Sequence, residues 1–269
     1  MRKAIERKVI KLKTIKEIEG KLKVTDELAP WMDELAGDSR AGVKAALAKW
    51  QRRYAKRELV KKEHASKVAF DRSYARFDGA LIAGVDEAGR GPLAGPVVSA
   101  VVILPEDVPE LIGLDDSKAI SKINRENLAE KIRNVAIDYS IHIQPATKID
   151  ELNIYVATRD SMESAVKSLS VQPDFVIVDA MALTINCPTA SVIKGDAKSL
   201  AVAAASILAK TTRDAIMEEI HNEYPTYNFA KNAGYGTSEH LEALTLLGPC
   251  KHHRNSFEPV KSMINRINK

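Results

Sequence analysis

The sequence predicts an α/β protein: a mixed β-sheet flanked by helices, with a helical extension in front of it. Three observations predict this. Short apolar runs bounded by glycine or by charge recur from residue 80 onward, as buried strands do. Stretches with apolar residues at helical spacing separate them unevenly, two strands coming together before the first helix, which favours mixed pairing. The first 78 residues lack such runs and read as polar helix.

In chain order, Pro30 and Gly37 punctuate two short helical pieces. Ala41 to Val60 carries Val43, Ala46, Leu47, Trp50 and Tyr54 at helical spacing, with Lys and Arg between them. The sparse apolar content implies an appended element without a core of its own, in which Trp31 and Trp50 pack rather than stack on bases. Gly79 ends this section. Residues 80–86 then read as a buried strand, and Val97 to Leu104 as a second, close enough to pair with it as in a hairpin. Asn124 to Val135 reads as a helix, Tyr139 to Ile143 as a strand, and Ile149 to Leu169 as one long amphipathic helix. Phe175 to Asp179 and Ala190 to Ile193 read as strands. Ser199 is a candidate N-cap for an alanine-rich helix to His221, and a last helix starts near Thr237. The expected domains are a basic helical extension over 1–78 and a catalytic domain over 79–269.

The chain has 269 residues, 45% of them hydrophobic, enough for one large domain with an extension. No apolar run approaches the ~20 residues of a membrane span, and no apolar stretch follows the basic N-terminus as in a secretory signal. Two cysteines without paired spacing, Cys187 and Cys250, argue against a disulfide framework or a zinc site and for a reducing, cytoplasmic setting. The net charge of +4 is unevenly spread: residues 1–78 hold 21 Lys and Arg against 12 Asp and Glu, and the remainder is net acidic. A basic head on an acidic body suggests a nucleic-acid tether on a carboxylate-bearing enzyme; a solvated helical face would look similar.

Three strands end in acid: Asp86-Glu87, Asp179, and Asp196 just past the last strand. Brought to one sheet edge, four carboxylates would repel and be pushed toward protonation. Hard divalent cations, Mg²⁺ or Mn²⁺, would compensate them, and two ions roughly 3.5–4 Å apart make a clamp for in-line phosphodiester displacement. Neighbouring strand residues point to opposite faces, so the strand is expected to turn at Glu87 for both side chains to serve one site. The glycine-rich Gly89-Arg90-Gly91 that follows can bring backbone N–H groups and one guanidinium close to a phosphate or a sugar.

Gly84-Val-Asp-Glu-Ala-Gly-Arg-Gly-Pro-Leu-Ala-Gly-Pro-Val-Val98 resembles the signature of the ribonuclease HII family. So do Asp116-Ser117-Lys118, Lys194-Gly-Asp-Ala-Lys-Ser199 with Ala203 to Lys210 and Thr212-Arg213-Asp214, Asn232 to Thr237 with Glu239-His240-Leu241, and His253-Arg254 with Ser256-Phe257. Several long motifs in order over about residues 80–262 are specific. The resemblance implies an RNase H-like fold and metal-dependent hydrolysis of the RNA strand of RNA/DNA hybrids. It also implies incision 5′ of single ribonucleotides in duplex DNA, leaving 3′-hydroxyl and 5′-phosphate ends, as in ribonucleotide and RNA-primer removal. Carried over, the metal and catalytic carboxylates are Asp86, Glu87, Asp179 and Asp196, with Mn²⁺ or Mg²⁺ in a two-metal site. Gly89, Arg90 and Gly91 contact the 2′-hydroxyl and phosphate at the RNA–DNA junction, and Tyr235 senses the junction. The 2′-hydroxyl separates ribose from deoxyribose, and a ring stacked on deoxyribose would reject an added hydroxyl. The chain is expected to act as a monomer on hybrids and ribonucleotide-containing duplexes, without a membrane; nothing in it identifies a protein partner.

Other residues carry weaker signals. Lys118 and Lys198 are candidates to face phosphates, with Lys118 the better one. Asp214 reads as structural. His252 and His253 read as loop or phosphate-neighbouring residues rather than ligands. The sister family ribonuclease HIII shares the fold but carries an N-terminal domain with strands. A non-catalytic hybrid binder would need no carboxylate cluster. A dinucleotide loop is disfavoured because the third glycine falls at Gly95, one residue too far, and Ala209-Lys210-Thr211-Thr212 lacks the glycines of a phosphate-binding loop.

Overall fold

The computed structural model of the protein describes residues 14–114 and 120–267; Asp116, Ser117 and Lys118 lie outside them. The chain divides into two compact units, up to Glu63 and from His64.

The first unit holds α1 (Ile15–Val24), α2 (Trp31–Ala36) and most of α3 (Ala41–Arg72). Thr14 opens α1 with a reciprocal cap: Glu17 N–H donates to Thr14 Oγ1, and Thr14 N–H donates to Glu17 Oε2. Contrary to expectation, this unit has a core of its own. Ile18, Leu22, Met32, Leu35, Val43, Leu47 and Trp50 are buried together. Spread over three helices at two or three residues each, they are too sparse to stand out in the sequence yet suffice to meet at one centre. Trp50 stacks on Tyr54, and its indole N–H donates to the Thr25 carbonyl at 2.7 Å. The third helix runs twelve residues past the predicted Val60, to Arg72, because nothing between Val43 and Asp78 is glycine or proline.

The second unit is built on a five-stranded mixed sheet of β1 (Ile82–Ala88), β2 (Val97–Ile103), β3 (Asp138–Gln144), β4 (Phe175–Asp179) and β5 (Thr189–Val192), in the order β3-β2-β1-β4-β5. β1 pairs antiparallel with β2, as its hairpin-like spacing suggested, and parallel with β4. Around the sheet lie α4 (Lys122–Val135), α5 (Ala146–Leu152), α6 (Ile154–Lys167), α7 (Gly195–Lys198) and α8 (Leu200–Glu223). Where one helix over 149–169 was expected, there are two. Asn153 breaks it at φ 68° and caps α6, its side-chain oxygen accepting from the N–H groups of Tyr155 and Val156. Ser199 caps α8 as predicted, accepting from Val202 N–H at 3.0 Å. Asp71, near the end of α3, adds to that cap by accepting from Ala201 N–H at 3.0 Å; burial pushes its carboxyl up to about 6.

Two apolar layers sandwich the sheet. Ala100, Val102, Leu111 and Ile132 pack against Ala204, Ile207 and Leu208 of α8 on one side. Val85, Val101 and Val178 pack against Met162 and Ala165 of α6 on the other. A third cluster closes the C-terminal end, where Leu93, Met217, Tyr227, Phe229, Leu244 and Val260 are buried together. It is formed with α9 (Phe229–Asn232), α10 (Ser238–Leu247) and α11 (Val260–Ile267), and it carries the loop that bears Tyr235.

Candidate active site

The parallel ladder between β1 and β4 stops at Val85↔Val178. Beyond it β1 stays paired with β2 alone, out to Ala88↔Val98. The strand therefore does not turn at Glu87 as expected. Instead the β4-facing edge of β1 is left open past Val85, with Asp179 directly after the last β4 residue paired with β1, and Asp86 and Glu87 reach the same space around that edge. Asp86, Glu87, Asp179 and Asp196 line one cavity of about 380 Å³ together with Gly89, Arg90, Gly91 and Tyr235. Of the candidate site residues, Lys118 lies outside the described residues and Lys198 is not part of the lining.

Local backbone fixes each acid. Asp86 Oδ1 accepts from Glu87 N–H at 2.7 Å, and the Ser206 hydroxyl bonds the same carboxylate. Asp179 Oδ1 accepts from Gly195 N–H at 2.7 Å, which ties the end of β4 to α7. Asp196 stands in α7's first turn and accepts from Ala197 N–H at 2.9 Å. Two non-glycine residues beside these acids have left-handed backbone, Ala180 at φ 46° and Lys194 at φ 57°, a strain of the kind that collects at functional sites.

Burial holds the Asp86 carboxyl well above its usual range, and the nearby Glu87 and Asp179 push it further. Burial also raises Glu87, against the pull of Arg90, whose Nη1 is 3.4 Å from Glu87 Oε1. Buried carboxylates beside like charges are stable as anions only with a counter-charge. The donor set is all oxygen and suits a hard divalent cation. Among the described residues no three such donors already close around one point; mutual repulsion opposes that closure.

The glycine-rich loop is held from beneath by two buried arginines. Arg213 Nε donates to Pro96 O at 2.9 Å, Nη1 to Ala233 O at 3.0 Å and Nη2 to Ala94 O at 3.1 Å. Arg254 Nη1 donates to Arg90 O at 2.8 Å, and its Nη2 donates to the carbonyls of Gly89 and Gly95. Among the described residues neither pairs with a carboxylate, and burial lowers them to about 10 and about 9. Backbone carbonyls thus carry most of the solvation of two cations, with the Phe257 ring 5.0 Å from Arg254 Cζ, and in exchange the loop is pinned at five carbonyls and Ala233 at a sixth. Arg90 itself stays exposed over the cavity mouth, and the Tyr235 ring borders Gly91.

Ser206, Lys210 and Arg213 also line the cavity and were missed as site residues. Their spacing along α8 is the signal that could have found them: positions i, i+4 and i+7 share one helix face. Lys210 pairs with Asp214, whose other oxygen lies 3.7 Å from Arg125 Nη2, so Asp214 is a salt-bridge partner of a cavity-lining lysine. Lys198 is exposed and not part of the cavity lining. His253, read as a loop or phosphate-neighbouring residue, is instead buried in the C-terminal cluster, because it bonds to His240 and Cys250.

Residues 83–260 match the family model described as Ribonuclease HII, and residues 14–75 match that of the Ribonuclease HII N-terminal domain. A ribonuclease HII of Geobacillus sp. (strain WCH70) is 45% identical over 252 residues, covering 93% of this chain and 91% of that protein. Among solved structures, the ribonuclease H2 of Pyrococcus horikoshii OT3 is 29% identical with a TM-score of 0.62, covering 70% of this chain and 99% of that one. Bst-RNase HIII, solved in complex with Mn²⁺, has a TM-score of 0.55 at 15% identity over 71% of each chain, and is alike in fold alone.

Proposed function

The chain belongs to the ribonuclease HII family, and we propose that Asp86, Glu87, Asp179 and Asp196 hold the divalent metal of this family of nucleases, as two Mg²⁺ or Mn²⁺ ions. The protein is an endonuclease that hydrolyses the RNA strand of RNA/DNA hybrids and incises 5′ of single ribonucleotides in duplex DNA. The observation that carries the site assignment is the convergence of these four acids, from two strand ends and α7, on the cavity that the Gly89-Arg90-Gly91 loop and Tyr235 also line.

Bound there, divalent cations would activate the attacking water and offset charge on the leaving oxygen. The chain's own residues supply the rest. The water oxygen forms a bond to phosphorus as the bond to the 3′-oxygen breaks, which leaves a 3′-hydroxyl and a 5′-phosphate. Asp86, held by Glu87 N–H and Ser206, and Asp179, held by Gly195 N–H, are preset as anion donors and need little reorganisation. Gly91, whose missing Cβ faces the Tyr235 ring, leaves room for a ribose and its 2′-hydroxyl against the backbone, and Gly89 lets the loop sit directly on Arg213. Arg90, only 3.4 Å from Glu87 and otherwise exposed, is free to pair with a phosphate. Tyr235, 51% exposed beside Gly91, is placed to stack on the deoxyribose that follows.

The basic extension supports a tether to the duplex, and free Cys187 and Cys250 fit a reducing, cytoplasmic setting. No helix among the described residues is long and apolar enough to cross a membrane.

The test is cleavage of two end-labelled DNA duplexes, one with a single ribonucleotide and one without, in Mg²⁺, in Mn²⁺ and in chelator. Metal-dependent incision 5′ of the ribonucleotide only is expected. Cleavage in chelator would refute the metal assignment, and cleavage confined to long hybrids would refute the role given to Gly89-Arg90-Gly91 and Tyr235.

A further inference from the structure

Two histidines behind the site form a hydrogen-bond chain whose direction can be deduced. Cys250 N–H donates to His253 Nδ1 at 3.0 Å, so that nitrogen is bare. In a neutral ring the proton is then on Nε2. His253 Nε2 lies 3.0 Å from His240 Nε2, and so donates to it. His240 must carry its own proton on Nδ1, which faces the Tyr235 carbonyl at 2.9 Å. The direction is fixed from Cys250 N–H to Tyr235 O, and every nitrogen has one role.

Protonation of either ring would set two N–H groups against each other, at Cys250 or between the rings. Neutrality is favoured by the surroundings as well: both rings are buried, at 0% and 2% exposure, and Tyr227 and Phe229 pack on them. Burial lowers both below the usual imidazole range, His253 to about 4, with His240 adding to the effect on His253.

The chain of bonds joins the two walls of the substrate cavity. His253 bridges to Ala94, and the next residue, Arg254, holds the carbonyls of Gly89 and Arg90. At its other end Tyr235 carries the ring whose Cε1 would stand 3.5 Å from a Cβ on Gly91. Local bonds hold the Tyr235 backbone too, with Tyr235 N–H donating to Asn232 O and Thr237 N–H donating to Tyr235 O. Leu93 N–H donates to Gly234 O at 2.8 Å and Arg213 bonds both Ala233 O and Ala94 O, so the two loops also meet beside Tyr235; the His240 bond is the one that reaches the Tyr235 carbonyl from the segment carrying Arg254.

We propose that His240 and His253 are positioning residues for substrate discrimination: their one-way hydrogen-bond chain sets Tyr235 against Gly91 and thereby the enzyme's selectivity for a single ribonucleotide in duplex DNA. This rests on the reading of Tyr235 as the junction sensor. Neither histidine touches substrate, and both act through the Tyr235 carbonyl and the Ala94–Arg254 segment.

The amides of glutamine and asparagine separate the two nitrogens of His240. His240→Asn keeps a donor where Nδ1 stands and breaks the link to His253. His240→Gln keeps the link to His253 and loses the donor to Tyr235. We expect His240→Gln to lower kcat/KM on a single-ribonucleotide duplex roughly three- to tenfold more than on a long hybrid, the range for one net hydrogen bond, through KM rather than kcat. His240→Asn, which breaks the chain at His253, should lower the ratio of the two substrates by a similar factor. A ratio that His240→Asn leaves unchanged would mean that the link through His253 carries nothing and overturns the proposal, and so would an equal fall of kcat/KM on both substrates in the two variants, the mark of a merely structural role. If Tyr235→Ala leaves the ratio unchanged, the reading of Tyr235 fails and this role fails with it. If Tyr235→Ala lowers the ratio and His240→Gln does not, the inference alone fails. Two-bond ¹H–¹⁵N correlation spectra of the full-length protein give an independent reading: Nδ1–H at His240 and Nε2–H at His253 support the chain, and the opposite tautomer at either ring overturns it.

Discussion

The glycine loop over the buried arginines makes a quantitative prediction with its own control. Gly89 has φ +97°, and a Cβ there would stand 2.1 Å from Arg213 Nε, 2.5 Å from its Cδ and 2.6 Å from the Pro96 carbonyl oxygen. Gly79 has φ +80°, and no heavy atom lies within 4 Å of its would-be Cβ. Alanine at either position incurs the left-handed backbone cost, about 1–2 kcal/mol. Only at 89 does it also displace a guanidinium bonded to three carbonyls. That adds about 1–3 kcal/mol of overpacking and about 1.5–3 kcal/mol for a loosened charged hydrogen bond. Gly89→Ala should therefore cost roughly 3.5–8 kcal/mol and Gly79→Ala roughly 1–2 kcal/mol, a difference of roughly 5–25 °C in Tm at about 2–4 °C per kcal/mol. Gly91→Ala is the third arm. Its φ is not positive, and its Cβ meets Tyr235 Cε1 at an ordinary 3.5 Å, so it should fold normally and still lose incision, since the methyl occupies the space read as the ribose seat. Urea titration gives the stabilities and the labelled-duplex assay gives the activities. Equal destabilisation by Gly89→Ala and Gly79→Ala would refute the reasoning that Arg213 is a rigid floor under the loop.

Three further predictions concern charge. Asp86→Asn should abolish cleavage and keep hybrid binding; at a pH above the raised folded value of Asp86, where it removes a buried anion beside Glu87 and Asp179, it should also stabilise the metal-free protein by about 1–3 kcal/mol, and a lower metal-free Tm in this variant at that pH would contradict the electrostatic account. The Asp86 and Glu87 carboxyls lie above their usual range, so they favour the metal-free fold at low pH and cease to as pH rises through their folded values. Mg²⁺ must displace those protons, and its apparent affinity should climb as pH rises through the raised folded values of the two carboxyls; calorimetry in buffers of different ionisation heat would detect the released protons, and a flat affinity would count against it. Exposed Lys49, Arg52 and Lys56 on α3, replaced together by Gln, should raise KM and flatten its salt dependence by up to about 0.9 for each phosphate no longer neutralised; an unchanged slope would make the extension purely structural. Removing residues 1–78 outright is a poorer test, since Val68 and Asp71 of α3 belong to the second unit, where one packs in its core and the other caps α8.

What could be read in the sequence, and what could not, divides by the range of the interactions involved. The strand bearing Asp86 and Glu87, the acids at Asp179 and Asp196, and the cap at Ser199 are local patterns: apolar runs, a charge at their ends, a hydroxyl before a helix. All were legible, though the limits of β1 shifted by two residues. The break at Asn153 was not, because the amphipathic period continues through it and only the capping geometry reveals two helices. The floor of the glycine loop was less legible still. Arg213 reaches Pro96 across 117 residues and Arg254 reaches Gly89 across 165, and what they bind are carbonyls, which every residue has and no sequence pattern marks. A carboxylate partner would have left a charge-paired signature; a carbonyl partner leaves none. The His240–His253 chain is hidden for the same reason, since it begins at a backbone N–H and ends at a backbone C=O. The four acids, Arg90 and Tyr235 could be proposed from the sequence because their chemistry is in their side chains. Those that hold them in place work on the backbone, and only the folded chain shows which stretch of backbone each one serves.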